Sequence, residues 1–175
     1  MAEPLTTAEL KAHLRKTTTD EDTLIASYGK AARQWVENYT SHVLAPRTFV
    51  QQFAEWGDYI TLYRQPVTAI TTIEYDSTDE DQIEFTDYEY STGQYPLKIY
   101  PGSSFPTLRT NGYITVTYTA GYATVAEVPE ALIQAILLLT GHFYIHRSGV
   151  HDGGMEEVPL AVRSLCSAYR IPVLA

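Results

Sequence analysis

Cysteine is almost missing from this chain. Cys166 stands alone among 175 residues, so no disulfide can form within the chain and a four-thiolate or mixed Cys/His zinc site is excluded. Basic residues are also scarce: 12 Lys and Arg against 21 Asp and Glu give a formal charge of -9 at pH 7. No window clusters Lys and Arg as neutralisation of a phosphate backbone requires, which argues against sequence-specific reading of DNA. The acidity has two readings: a solvated surface that keeps the chain soluble, which composition favours, or the lining of a passage through which a polyanion slides without sticking. Long apolar runs are lacking too. In the most apolar stretch, "VPEALIQAILLLTGHFYIHR" from Val128 to Arg147, the uninterrupted run is only Ala135 to Leu139, and a membrane span needs roughly 20 consecutive apolar residues. The opening "MAEPLTTAEL" has neither a basic start nor an apolar run, so no ordinary secretory signal is expected and a cytoplasm is the natural place of synthesis. A Gly-rich phosphate loop and a GxSxG elbow are absent as well.

What is present reads as helices, then a block of strands, then helices again. In "LTTAELKAHLR", Thr6 is a cap, Glu9 the other half of a capping box, and Leu5 a staple for Leu10. A second helix is expected to start at Thr19 or Asp20 and to end before Pro46, with Leu24, Tyr28, Ala31, Ala32, Trp35, Tyr39 and Val43 as its apolar stripe. Beyond Pro46 the texture turns to Thr, Tyr and β-branched residues in "RTFVQQF", "DYITLY", "VTAITTIEYD", "DQIEF", "PLKIY" and "YITVTYT". In the last of these, Ile114, Val116 and Tyr118 alternate with Tyr113, Thr115 and Thr117, so one face can be buried. The stretch from Val128 to Arg147 predicts a helix with Pro129 near its first turn. Its apolar positions cover far more than a third of the circumference, which implies a central element packed on several sides, with Leu138 among the inward residues. Ser148 to Val158 has the composition of a loop, and "PLAVRSLCSAYR" predicts a short last helix carrying Leu160, Val162, Leu165, Cys166 and Tyr169.

Three kinds of chemistry can be weighed on these residues. His142 and His146 stand one helical turn apart, a spacing that presents two imidazoles to one metal ion. Phe143 occupies the place where a zinc-hydrolase helix carries glutamate, and only His151 and Asp152 are near in sequence as further ligands, so histidines capping a helix end are the preferred reading. Carboxylate pairs for glycoside hydrolysis can be drawn from Glu74, Asp76, Asp79, Glu80, Asp81 and Glu84, but acids around a turn are more often solvated. Cys166 falls on the apolar side of its helix, where cysteine behaves as a small buried hydrophobe. The 14 tyrosines suit half-buried strand positions and protein interfaces better than a sugar platform, for which nothing else speaks.

The run "ITVTYTAGYATVAEVPEALIQAILLLTGHFYIHR", the N-terminal "LTTAELKAHLR" with "TDEDTLIASYGKAARQWVENYT", and the closing "VPLAVRSLCSAYR" together resemble the head-tail connector, or neck adaptor, proteins of tailed double-stranded-DNA bacteriophages and prophages. The likeness spans nearly the whole chain, and its most specific part is "TYTAGY" followed by "VPEALIQAILLL". It implies an α+β, mainly α fold: a small antiparallel helical bundle with a β-strand insertion between the second and third main helices. The chain would be one connector domain, with N-terminal helices at 1–45, the β insertion at 46–122, C-terminal helices at 123–170 and a tail at 171–175. It further implies a non-enzymatic virion-neck protein that needs no cofactor and no metal, assembles in the bacterial host cytoplasm and forms or joins a ring of about twelve subunits. The partners so implied are further copies of itself, the portal protein and the next neck or tail-completion protein, with DNA passing through unread. On the broad apolar helix, Leu132, Ile136, Leu139 and Phe143 are the candidate packing or oligomer interface, and Ile171, Val173 and Leu174 form a candidate partner-docking tail. The competing readings are a carbohydrate-binding or carbohydrate-acting β module and a metal-dependent hydrolase built on His142 and His146.

Overall fold

A computed structural model describes residues 3–78, 82–146 and 158–171. Two compact units emerge, a helical one within Met1–Ala45 and Ala123–Pro172 and a β unit at Pro46–Tyr122.

The helical unit begins with α1, Thr7–Leu14. Its start is capped as the sequence predicts: Glu9 N–H donates to Thr6 Oγ1 at 3.3 Å and Thr6 N–H donates to Glu9 Oε2 at 2.7 Å. The Thr6 hydroxyl, which donates to Glu9 Oε2 at 2.7 Å, and the Thr6 N–H together hold the Glu9 carboxyl below its ordinary value. α2 spans Asp22–Thr40 and differs from expectation at its start, where Glu21 is the N-cap and no side chain caps the helix. Neither Thr19 nor Asp20 takes that place; the Thr19 carbonyl instead accepts from Asp22 N–H at 3.2 Å. The buried stripe of α2 is also turned by one residue from the predicted one, to Ile25, Gly29, Ala32, Arg33, Val36, Glu37 and Thr40. The reason is side-chain size. A Cβ on Gly29 would lie 2.5 Å from Leu10 Cδ1, so the glycine lets α1 approach closely. The bulky Trp35 and Tyr39 stack at 5.0 Å on the flank of the stripe.

α3, Glu130–Ile145, follows a single 3-10 turn at Val125–Glu127, and Pro129 is its N-cap. It packs against α1, α2 and the last helix, α4, Leu160–Ser167. Leu132, Ile133, Ala135, Ile136, Leu139 and Thr140 are its buried residues, whereas Leu138 is 39% exposed. The expectation that Leu138 faces inward is therefore corrected. α4 buries Val162 and Cys166 and leaves its first residue, Leu160, exposed.

The β unit holds β1 (Arg47–Phe53), β2 (Ile60–Leu62), β3 (Val67–Tyr75), β4 (Ile83–Glu84), β5 (Tyr88–Tyr90), β6 (Leu97–Pro101) and β7 (Ile114–Ala120). They form two antiparallel sheets, in the orders β1-β7-β3-β4 and β2-β6-β5. Along β7, Ile114, Val116, Tyr118 and Ala120 are buried and alternate with half-exposed residues, the period-2 pattern of a strand with one face in a core. Ile60, Leu62, Ile73, Leu97 and Ile99 complete that core. The fully buried Gln65 donates from Nε2 to Leu62 O at 2.7 Å and accepts from Val67 N–H at 3.3 Å.

The predicted fold class is corrected by this architecture. Four α-helices and seven strands in two sheets, among the described residues, make an α+β molecule rather than a mainly helical antiparallel bundle with an insertion. The strand block buries its own set of Ile, Leu and Val side chains and so folds as a compact unit with a core.

Candidate functional site

The buried face of α3 takes three of the four candidate interface residues into the chain's own core: Leu132 and Leu139 are fully buried and Ile136 is 1% exposed. The fourth, Phe143, is half-buried, with its ring 6.4 Å from that of Tyr28 on α2. Of the candidate tail, Ile171 is buried and its N–H donates to Thr40 O at 3.1 Å, at the end of α2. Val173 and Leu174 lie outside the described residues, as do His151, Asp152 and most of the Ser148 to Val158 loop.

Sequence reasoning missed a buried charge network on α2. Arg33 and Glu37 are both nearly inaccessible, at 5% and 2% exposure. Arg33 Nη1 lies 2.7 Å from Glu37 Oε2, and Arg33 Nε lies 2.7 Å from Glu3 Oε2. The second oxygen of Glu37 accepts from Leu44 N–H at 2.9 Å. Two ion pairs that share Arg33, with the hydrogen bond from Leu44, thus tie the N-terminal segment, the middle of α2 and the segment following it. The one available signal was an Arg and a Glu four residues apart on a helix, a spacing far commoner on solvated faces. Beside this network, Pro4, Leu5, Leu10, Gly29 and Ile136 line a cavity of about 340 Å³.

Several of the groups weighed for catalysis lie among the described residues. The His142 and His146 rings are 4.9 Å apart, and no group of three metal-ligating side chains is found among the described residues. Glu74 and Glu84 face each other across β3 and β4. Asp76 Oδ2 accepts from Tyr113 N–H at 2.9 Å and lies 3.9 Å from Arg109 Nη2, so it fastens a loop. Asp79, Glu80 and Asp81 lie outside the described residues. Burial pushes the Cys166 thiol up to about 11, away from the thiolate a nucleophile needs. Among the aromatics, Trp56 stacks on Phe105 at 4.6 Å and meets Phe85 at 5.3 Å, clasping two loops of the β unit. Five tyrosines are exposed: Tyr59, Tyr90, Tyr95, Tyr100 and Tyr113.

Comparison with known proteins bears on what such a chain does. Solved structures resemble it over its full length. The neck of an empty gene transfer agent (GTA) particle computed with C6 symmetry contains a chain 28% identical, with a TM-score of 0.81, covering 100% of this chain and 95% of that one. The virion of a native gene transfer agent particle matches at 27% identity and a TM-score of 0.79, over 98% of this chain and 92% of that one. The neck of the native particle computed with C12 symmetry matches at 26% identity and a TM-score of 0.78, over 100% and 94%. No curated protein matches. The family described as "Head completion protein" matches residues 3–169. With a family match over nearly its whole length, the chain belongs to the head completion proteins, a structural family of head-tail connectors.

Proposed function

We propose that this protein forms or joins a ring of about twelve subunits in a virion neck, docked on the portal, where it extends the DNA channel and offers the surface on which the next neck or tail-completion protein assembles. The observation that carries this reading is the full-length likeness to chains in GTA necks computed with C6 and C12 symmetry. The formal charge of -9 supports a channel that DNA traverses without sequence-specific binding, since like charges do not adhere. Its place is the virion neck, with assembly in the host cytoplasm, and it needs no cofactor. The helical and β units act together as one connector domain, with 171–175 as its tail. On α3, Phe143 keeps side-chain surface for a neighbouring subunit, while Leu132, Ile136 and Leu139 hold the helix that presents it.

DNA-filled heads produced without this protein test the proposal. They should fail to join tails and regain joining when the purified chain is added; joining at full yield without it would refute the role. A chain ending at Ile171 tests the tail in the same assay. It should fold, because Ile171 and its bond to Thr40 are retained, yet restore joining poorly. Full restoration would remove Val173 and Leu174 from the docking surface.

A further inference from the structure

Sheet edges are where a β protein pairs with another chain unless something prevents it, and short strands, bulges, prolines and lysines are the usual preventives. Most edges of this β unit are blunted. β4 has two residues, and β2 and β5 have three each. β3 has nine, but β4 covers Glu74 and Tyr75, and its pairing with β7 shifts register between Val67 and Ala69 and again between Ile70 and Thr72. β1 differs from all of them. Its seven residues pair one to one with β7, from Arg47 opposite Ala120 to Phe53 opposite Ile114, with no bulge. Neither Pro nor Lys occurs within it, and no strand lies along its other side among the described residues.

The strand is held straight from one face and left bare on the other. Phe49 stacks on Tyr118 at 5.8 Å, and the Gln51 side chain grips the second sheet, donating to Thr61 O at 3.2 Å and accepting from Tyr63 N–H at 3.4 Å. On the opposite face Thr48, Val50 and Gln52 are exposed, Val50 at 65%. Apart from Arg47 at its start, whose guanidinium lies over the Phe49 ring at 5.0 Å, the strand carries no charge, so Thr48, Val50 and Gln52 leave an open edge with no charged side chain among them to repel a neighbour.

We propose that the outer edge of β1 receives an extended segment of a different neck protein as an added strand. The choice of a different protein rests on the ring reading. Neighbours in a ring of more than two subunits are not related by a two-fold axis, so β1 cannot pair with β1 of the adjacent copy. It would have to meet another edge of that copy, and among the described residues those are two or three residues long or broken by bulges. A seven-residue edge runs roughly 24 Å at about 3.4 Å per residue, enough for a full strand from elsewhere. Main-chain hydrogen bonds supply the affinity in such an addition, and alternate side chains supply the selectivity. The incoming segment is therefore extended, with β-branched or uncharged side chains where it lies beside Thr48, Val50 and Gln52.

Amide hydrogen exchange over Thr48–Phe53 tests this in two samples, the purified chain and complete necks isolated from particles. In the purified chain, whether single or self-assembled, the alternate amides that face away from β7 should exchange freely. In complete necks they should slow by about a hundredfold or more, the protection of an added ladder. Val50→Lys, at an exposed position, should keep the melting temperature and lose that protection. Unchanged exchange in complete necks overturns the proposal, and so does protection that already appears when the chain assembles with itself alone. The symmetry of the same necks, read by electron microscopy, tests the ring separately, so either idea can fail without the other.

Discussion

At the scale of single residues, the buried Arg33–Glu37 pair is a costly arrangement to disturb. Burying two charges is tolerable only because each is bonded: the guanidinium by Glu37 and Glu3, the Glu37 carboxylate by Arg33 and by Leu44 N–H. Glu37→Ala leaves the buried guanidinium with Glu3 alone and takes the acceptor from Leu44 N–H, and should cost about 3 to 5 kcal/mol in denaturant unfolding. The double change Arg33→Met with Glu37→Leu should cost less than Glu37→Ala alone, because no buried charge is left behind; Glu3, which loses Arg33 as its partner, is 28% exposed and is solvated instead. A loss below about 0.5 kcal/mol for Glu37→Ala would mean that the pair is solvated. His42 makes a prediction about pH. It is 5% exposed, edge-on to Tyr169 at 6.2 Å, and burial lowers its pKa from the ordinary 6.5. The folded state thus favours neutral imidazole, and the unfolded state binds more protons below pH 6.5. The resulting stability is present above that pH and is lost as pH falls through the lowered folded value. His42→Phe should flatten the fall in melting temperature between pH 7 and pH 5, and parallel profiles for the two proteins would contradict the assignment.

At the scale of elements, α3 gives the sharpest contrast between neighbours. Leu139→Ala should cost about 2 to 5 kcal/mol, the range for a buried leucine, and Leu138→Ala well under that, since one is 0% and the other 39% exposed. Equal losses in a melting experiment would show that the helix is turned differently. This contrast also explains what was legible in the sequence. β7 alternates apolar and polar residues, so its buried face could be read directly from Ile114, Val116 and Tyr118. α3 is apolar nearly all round, so its existence was plain but its phase was not, and Leu138 was read as inward. The stripe of α2 was misjudged by one residue because the large Trp35 and Tyr39 outweighed Gly29, whose want of a side chain is what brings α1 close. The three residues of β5 have no period of their own and exist as a strand only through pairing with β6. The capping box at Thr6 and Glu9 was legible because both partners are local. The Arg33–Glu37–Glu3 network was not, because Glu3 comes from 30 residues away.

At the scale of the whole molecule, the weight falls on assembly. The strand block proved to be a compact unit with two sheets, so the bundle expected from the resemblance was wrong while the family was right. What the likeness covers, end to end, is the pattern of apolar and turn residues that both units need, and a family can be recognised from that pattern before its sheet content is. The coarser role, that of a structural neck protein, followed from the same likeness, since the family is one of head completion proteins. The central claim is a ring on the portal. The most direct measurement is the mass and rotational symmetry of the purified chain mixed with purified portal, by native mass spectrometry and electron microscopy. A cyclic complex with about twelve copies is expected, in keeping with the C12 symmetry with which the neck holding a similar chain was computed. A chain that stays monomeric beside an unoccupied portal, with its fold intact, would contradict it.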